Sequence, residues 1–178
     1  ICHTSTTPTN SISQSTIFNL SNTNATAASI VTGIQFTGAT TGNVVERNLI
    51  YGLTSATTST SAEINGIRVA GGTTIYRNNM IAIGAGVANA IGTAASNSNV
   101  SGINGINEAL GTNSFFHNTV YIGGTATAGA GASYAFNGVQ TTNTRSFRNN
   151  IFVNSRTNSG ATGKHYAVKI NGTTPNPS

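Results

Sequence analysis

The sequence is poor in charge, and its acids are especially few. Only 6% of its 178 residues are charged, whereas about a quarter is usual for a globular domain. Aspartate is absent, and the acids are Glu46, Glu63 and Glu108. Glycoside hydrolysis generally needs a pair of carboxylates, and these three fall at unrelated places in the local pattern. We therefore predict that the chain is not an enzyme.

Cysteine and long apolar runs are also scarce. Cys2 is the only cysteine, so no disulfide can form within the chain, and because free cysteine is usually buried we expect a buried thiol. No apolar run approaches the roughly 20 residues of a membrane helix, so we predict no membrane insertion. The net charge is +5, but the basic residues are scattered, which argues against a nucleic-acid partner.

Histidine remains as a candidate for metal or acid–base chemistry. His3, His117 and His165 are dispersed along the chain. Zinc needs ligands that converge, so we predict no metal site and no other cofactor. His117 lies at a position that other copies of the repeat described below fill with Arg or Asn, and we expect its side chain to be exposed.

What the sequence has in abundance is a repeat. A glycine beside an apolar residue recurs at spacings of 33, 39, 33 and 34 residues. An asparagine follows each of the first four glycines, and an apolar residue comes two positions after it. Residues 12–20 resemble a degenerate fifth copy with Ser15 in the asparagine position. The repeat glycines are Gly33, Gly66, Gly105, Gly138 and Gly172, and the asparagines are Asn48, Asn79, Asn118 and Asn150.

The repeat predicts strands rather than helices, because its apolar runs are short, rich in Ile, Val, Phe and Tyr, and bounded by Gly and Asn. Like segments recur once per repeat, so we expect a coil in which equivalent residues stack about 4.8 Å apart. The asparagine amides can then bond from turn to turn and form a buried ladder at one corner, where asparagine can take the left-handed conformation. The glycines are assigned to the other tight corner.

Two apolar stacks should flank the ladder, one three positions before each asparagine and one two positions after it. Their members are Val45, Tyr76, Phe115 and Phe147, and Ile50, Ile81, Val120 and Phe152. Low-complexity insertions rich in Gly, Ala, Ser and Thr occupy residues 54–62, 84–101, 123–133 and 155–163. They all leave the repeat at the same place, so we expect them on one flank.

This pattern, with phrases such as "NNMI", "HNTVYIGG" and "RNNIFVN", resembles the right-handed parallel β-helix of the pectate-lyase-like superfamily, whose coils carry an Asn ladder. It most resembles β-helical regions of very large secreted bacterial surface proteins that are exported with a C-terminal sorting domain. The resemblance covers nearly all of residues 12–172. We therefore predict an all-β, right-handed parallel β-helix of about five coils, with residues 1–178 as a single domain.

Two charged positions carry specific expectations. Glu46 and Arg77 occupy equivalent places in neighbouring coils, so we predict that they lie side by side on the outer face. Glu108 stands where other coils have Phe36 and Val69. A lone buried carboxylate is costly, so we expect the strand to slip there or the carboxylate to find a partner.

Function is much less constrained, because this fold hosts lyases, hydrolases, adhesins and passive stalks. Our first interpretation is an extracellular structural or adhesive module at a bacterial cell surface. It would be either a segment of a longer stack or a subunit that forms a homopolymer by end-to-end coil stacking. The second is a carbohydrate-binding or degenerate carbohydrate-active β-helix, with Tyr51 and Tyr121 as glycan contacts. The third is an ice- or mineral-binding row of threonines.

Overall fold

The computed structural model describes residues 1–172, with the exception of residues 39, 58, 60, 85–100 and 128. The described part is an all-β parallel β-solenoid of about four turns. Its corners, from Ser15 to Asn150, are separated by steps of 33, 31, 39 and 32 residues. The prediction of about five coils was therefore slightly wrong, because five corners delimit four turns.

Two large parallel sheets form most of the wall, and the strands are numbered here in chain order. Sheet 1 has nine strands, namely β1 (Cys2–His3), β2 (Ser11–Ser13), β5 (Ile30–Phe36), β6 (Asn43–Glu46), β9 (Glu63–Arg77), β11 (Ser101–Phe116), β14 (Ala132–Gly138), β15 (Arg145–Arg148) and β18 (His165–Ile170). Sheet 2 has five, namely β3 (Thr16–Phe18), β7 (Leu49–Tyr51), β10 (Met80–Ile83), β12 (Thr119–Ile122) and β16 (Ile151–Asn154).

The described insertions lie on one flank, as predicted, because each connects a strand of sheet 2 to the next strand of sheet 1. Two small parallel sheets form there. They pair β4 (Ser21–Asn22) with β8 (Thr54–Ser55), and β13 (Thr125–Ala126) with β17 (Thr157–Asn158). The insertion at residues 84–101 falls largely outside the described residues.

The core is built from inward rows that run along the solenoid, and the two predicted apolar stacks are both confirmed. In the first, the rings of Tyr76 and Phe115 stack with centroids 5.2 Å apart, and Phe147 follows at 5.4 Å from Phe115. In the second, Ile50 and Ile81 pair across β7 and β10, and the row continues through β12 and β16. Burial of these rows supplies the main driving force for folding.

The corner between sheets 1 and 2 differs in one respect from the expectation. The left-handed conformation belongs to the residue before each ladder asparagine, with φ of 55° at Arg47 and 54° at both Asn78 and His117. The bend is thus completed one residue early, so the following asparagine can point into the solenoid. His117 is exposed at this corner, as predicted.

The assignment of the repeat glycines to a corner was wrong for the first three of them. Gly33, Gly66 and Gly105 lie inside β5, β9 and β11, and none of them has positive φ. A Cβ on Gly66 would lie 2.6 Å from both Gly105 O and Ile81 Cγ2. Glycine is required here because the backbone passes close to the next coil and to the sheet 2 side chain that fills the core.

Two of the five glycines are not members of this row. Residues 104 and 106 pair with 134 and 136, so the residue level with Gly105 is Ala135. Gly138 instead pairs with Glu108, and Gly172, with φ of 118°, follows the end of β18. Cys2 also differs from expectation, since its thiol is exposed on β1 at the edge of sheet 1.

Candidate functional site

The asparagine ladder is confirmed and is a polar spine inside the solenoid. Asn79 Nδ2 donates to Asn118 Oδ1 at 3.0 Å and to Val45 O at 2.9 Å. Asn79 Oδ1 accepts from the backbone N–H of Asn48 at 3.2 Å and from its Nδ2 at 3.0 Å. The same bonds join Asn118 to Asn150. Every rung satisfies buried groups of two coils, so the ladder fixes the register of the stack.

A second amide chain was missed by the sequence reasoning. Asn137 Nδ2 donates to Asn104 Oδ1 at 3.0 Å, Asn104 Nδ2 to Asn65 Oδ1 at 3.0 Å, and Asn65 Nδ2 to Glu63 Oε2 at 3.2 Å. All three asparagines are buried in sheet 1. The recurring Asn-Gly dipeptide is the sequence pattern that indicates this chain, but only its glycine entered the prediction.

Glu108 both finds a partner and lies at an irregular point of its strand. Its Oε2 accepts from Arg145 Nε, and its Oε1 accepts from Asn113 Nδ2 at 2.8 Å. The pairing of β11 with β9 shifts register just after Glu108. Burial raises the pKa of the Glu108 carboxyl, while hydrogen bonds from Asn113 and Arg145 oppose that rise. Because Gly138 is level with Glu108 and has no side chain, the Arg145 guanidinium fits against it.

The predicted outer pair is also confirmed. Arg77 Nε lies 2.6 Å from Glu46 Oε2, and the two residues are cross-strand partners in β6 and β9. The hydrogen bond from Arg77, together with its charge, lowers the pKa of the Glu46 carboxyl.

His165 belongs to a polar network that superficially resembles a catalytic triad. Its Nδ1 lies 2.9 Å from Ser133 Oγ, and its Nε2 lies 2.8 Å from Asn158 Oδ1. Because an amide oxygen only accepts, Nε2 carries the proton and the Ser133 hydroxyl donates to Nδ1. Desolvation and the nearby Arg156 charge lower the pKa of His165. Ser133 is only 1% exposed, so a substrate has no access to its hydroxyl.

The three glutamates do not converge. Glu46 is held by Arg77 on the outer face, Glu63 ends the second amide chain, and Glu108 is buried against Arg145. Within the part of the chain that the structure describes, no three residues among His, Cys, Asp and Glu are grouped so that they could hold a metal ion.

The two candidate tyrosines occupy equivalent positions, as predicted. Ala82 is the cross-strand partner of both Tyr51 and Tyr121, and each tyrosine is 37% exposed. Tyr51 stacks on Phe18 with ring centroids 5.4 Å apart and planes 10° from parallel. The hydroxyl of Tyr121 accepts from Ser155 Oγ at 2.8 Å. One face of the Tyr51 ring is therefore already covered.

These tyrosines belong to a larger surface, which we call the sheet 2 outer face. It consists of the outward residues of the five strands, two from each. They are Thr16 and Phe18, Leu49 and Tyr51, Met80 and Ala82, Thr119 and Tyr121, and Ile151 and Val153. No residue of these five strands is charged. In contrast, sheet 1 carries Glu46, Arg68, Arg77, Arg148 and Lys169.

Comparison with protein-family models, with curated proteins and with solved structures finds no match to this chain. Among the described residues, no helix is long and apolar enough to cross a membrane.

Proposed function

We propose that the chain is an extracellular structural module of a bacterial cell surface that extends by stacking further coils on its ends. The observation that carries this proposal is an apolar opening at the last described coil. A cavity of about 400 Å³ opens there, and its walls are the apolar residues Phe147, Phe152, Val168 and Ile170 together with the polar residues 148–150 of the corner. In every earlier coil the corresponding space is closed by the rows of the next coil.

The hydrogen bonds at this end support the same idea. Each ladder asparagine donates its backbone N–H to the side-chain oxygen one coil further on, as Asn118 does to Asn150 at 2.9 Å. Within the described residues, no acceptor is found for the N–H of Asn150. Among the described strands, β18 is the last of sheet 1 and β16 the last of sheet 2, so within that part of the chain neither has a partner on its outer edge. A strand edge is a template for pairing with another chain or coil.

The partner that fits this end is another coil of the same kind, either from a second copy or from a longer parent chain. Such a head-to-tail contact does not close and would generate filaments. The cell-surface location rests on the resemblance of the repeat to secreted bacterial surface proteins and on the scarcity of charged residues, 6% of the chain.

Electron microscopy and light scattering of the purified chain test this proposal. We expect elongated particles whose length grows with protein concentration. Val168→Lys, which places a charge on the wall of the end cavity, should shorten them. Val139→Lys is the matched control, because Val139 has similar exposure, 40% against 44%, and does not line the cavity. A species of 18.1 kDa at every concentration would contradict elongation by copies of the chain.

A second candidate function is glycan binding on the sheet 2 outer face, for which the exposure of Tyr51 and Tyr121 is the supporting observation. A glycan array with the wild type and with the Tyr51→Ala and Tyr121→Ala variants tests it. Binding that both variants weaken would favour this function. Binding that neither variant changes would exclude these tyrosines as contacts.

We further propose that the chain has no catalytic activity on polysaccharides. The separation of its three glutamates supports this, since no two of them face a common site. Assays on pectins, alginates and neutral glucans, with and without calcium, should show no turnover. Reproducible cleavage that is abolished by changing a single glutamate would overturn the proposal.

A further inference from the structure

The sheet 2 outer face is an uncharged and mostly apolar surface, and nothing in the proposed stacking of coils would cover it. Seven of its residues are large and exposed, from Met80 and Ile151 at 56% and 57% to the two tyrosines. Exposed apolar side chains are common singly, but a contiguous strip of them marks an interaction surface. We propose that this face pairs laterally with the same face of a second copy of the chain.

Self-pairing is favoured first by the absence of charge. An acidic, basic or anionic partner would find nothing to pair with, because the five strands of the face contain no charged residue. A flat sheet surface packs well against another flat sheet at about 10 Å, with side chains of the two faces interdigitating. The face therefore fits a surface of its own kind.

The shape of the central strand specifies the arrangement. β10 is the middle strand of the five, and it carries both a protruding residue, Met80, and a notch at Ala82. The notch opens into a cavity of about 350 Å³ that extends from Ala82 and Tyr51 over the turn at residues 52–54. We place a two-fold axis parallel to the solenoid axis, between the two faces and in front of Ile81. This axis would put Met80 of each copy against Ala82 of the other.

This arrangement keeps the coils of the two copies at the same level and makes the contact isologous, with the same patch used twice. It is also compatible with elongation, because both solenoids run in the same direction. Each further coil would add another strand to the paired face.

The expected strength follows from the area. Five strands spaced by about 4.8 Å, with three residues of about 3.3 Å each, give a flat face of roughly 240 Å². A stable complex buries about 800 Å² on each partner. Pairing of two isolated chains should therefore be weak, and it should become strong when several solenoids are joined in a stack, because the contacts are then multivalent.

Disulfide trapping detects such weak pairing. The variants Met80→Cys and Ala82→Cys are prepared separately, each with Cys2→Ser because Cys2 is exposed, then mixed and oxidised under mild conditions. Intact mass distinguishes the dimer that joins residue 80 to residue 82 from the two homodimers. Ile30→Cys, also with Cys2→Ser, is the control, since Ile30 is as exposed as Met80, 56% in both cases, and lies on sheet 1.

We expect the 80-to-82 dimer to form severalfold faster than either homodimer or the Ile30→Cys dimer. Adding Tyr51→Lys to both variants should reduce its rate to that of the control, while circular dichroism shows the fold unchanged. Formation no faster than the control would overturn lateral self-pairing. An excess of the dimer that joins two residues 80 would overturn the proposed arrangement. Inhibition of cross-linking by a glycan, relieved by Tyr121→Ala, would assign the face to glycans instead.

The two tests can be separated by their controls. Val168→Lys shortens the stacks and so slows lateral pairing, but the 80-to-82 dimer should still form faster than the Ile30→Cys dimer in the same background. With Tyr51→Lys, particle length should still grow with protein concentration. The two proposals can thus fail separately.

Discussion

Replacing Asn79 by alanine should destabilise the protein strongly, because this side chain and Asn118 are the two best-connected rungs of the ladder. It is fully buried and takes part in four side-chain hydrogen bonds, two as donor and two as acceptor. Alanine would leave the backbone N–H and one Nδ2 hydrogen of Asn48 without an acceptor. It would also remove a donor from Val45 O and another from Asn118 Oδ1.

The magnitude follows from these orphaned groups. A buried donor left without a partner costs roughly 1–3 kcal/mol. Two such donors, with partial relaxation of the corner, give a loss of about 2–4 kcal/mol in the free energy of unfolding. The Asn118 oxygen retains the backbone N–H of residue 79, at 3.1 Å, so it adds little to the loss.

Urea unfolding followed by circular dichroism measures this loss as a shift of the midpoint at constant slope. Asn78→Ala is the control. It changes the neighbouring residue, which is outside the ladder and has φ of 54°, so it should cost only the roughly 1 kcal/mol penalty of a left-handed alanine. If Asn79→Ala cost no more than Asn78→Ala, the ladder would not stabilise the stack and this reasoning would be refuted.

Asn79→Asp tests the same contacts through the direction in which protein stability changes with pH. Its carboxylate would face Asn118 Oδ1 and Val45 O, which are acceptors, so burial should raise its pKa in the folded state. The stability deficit relative to wild type should be largest above that raised pKa and should shrink as the pH falls and the carboxyl becomes a donor. A deficit independent of pH would contradict the inward orientation.

Three further predictions concern single contacts. Gly105→Ala should cost about 1–3 kcal/mol by overpacking, since its Cβ would clash with a core side chain of β12 and lie 2.6 Å from a backbone oxygen; a thermal melt equal to wild type would contradict this. Glu108→Ala should lower the free energy of unfolding by about 3–5 kcal/mol, because Arg145 would remain charged and buried. The double variant Glu108→Val with Arg145→Met should recover most of this loss. Equal urea midpoints for the single and the double variant would count against the buried pair. For Glu46, the folded pKa is lowered by Arg77, so the stability contributed by the pair is present above the ordinary Glu pKa and is lost as the pH falls through the folded value. Glu46→Gln should therefore flatten the acid limb of the stability profile, and an unchanged limb would refute the assignment.

The sequence by itself determined the repeat, the parallel solenoid and the ladder. These depend on which residue types return at each turn, and periodicity alone places equivalent residues on top of one another. Three predicted features follow from this stacking of equivalent residues, namely the Tyr76–Phe115 stack, the Glu46–Arg77 pair and the equivalence of Tyr51 and Tyr121. None of them requires knowledge of how the chain bends between the repeated positions.

Only the tertiary structure decided what happens where the repeat is broken or where two sheets meet. Ala135, not Gly138, continues the row of repeat glycines. In this coil the residue that pairs level with Gly105 lies three positions before the glycine of the Asn-Gly dipeptide, and the dipeptide pattern alone does not show that offset. The partner of Glu108 is Arg145, which lies 37 residues away and is selected by the space above Gly138. The uncharged face of sheet 2 emerges only when outward residues of five short strands are assembled. Each strand alone contributes only two outward residues, so the apolar surface exists only when the fold places the five strands side by side.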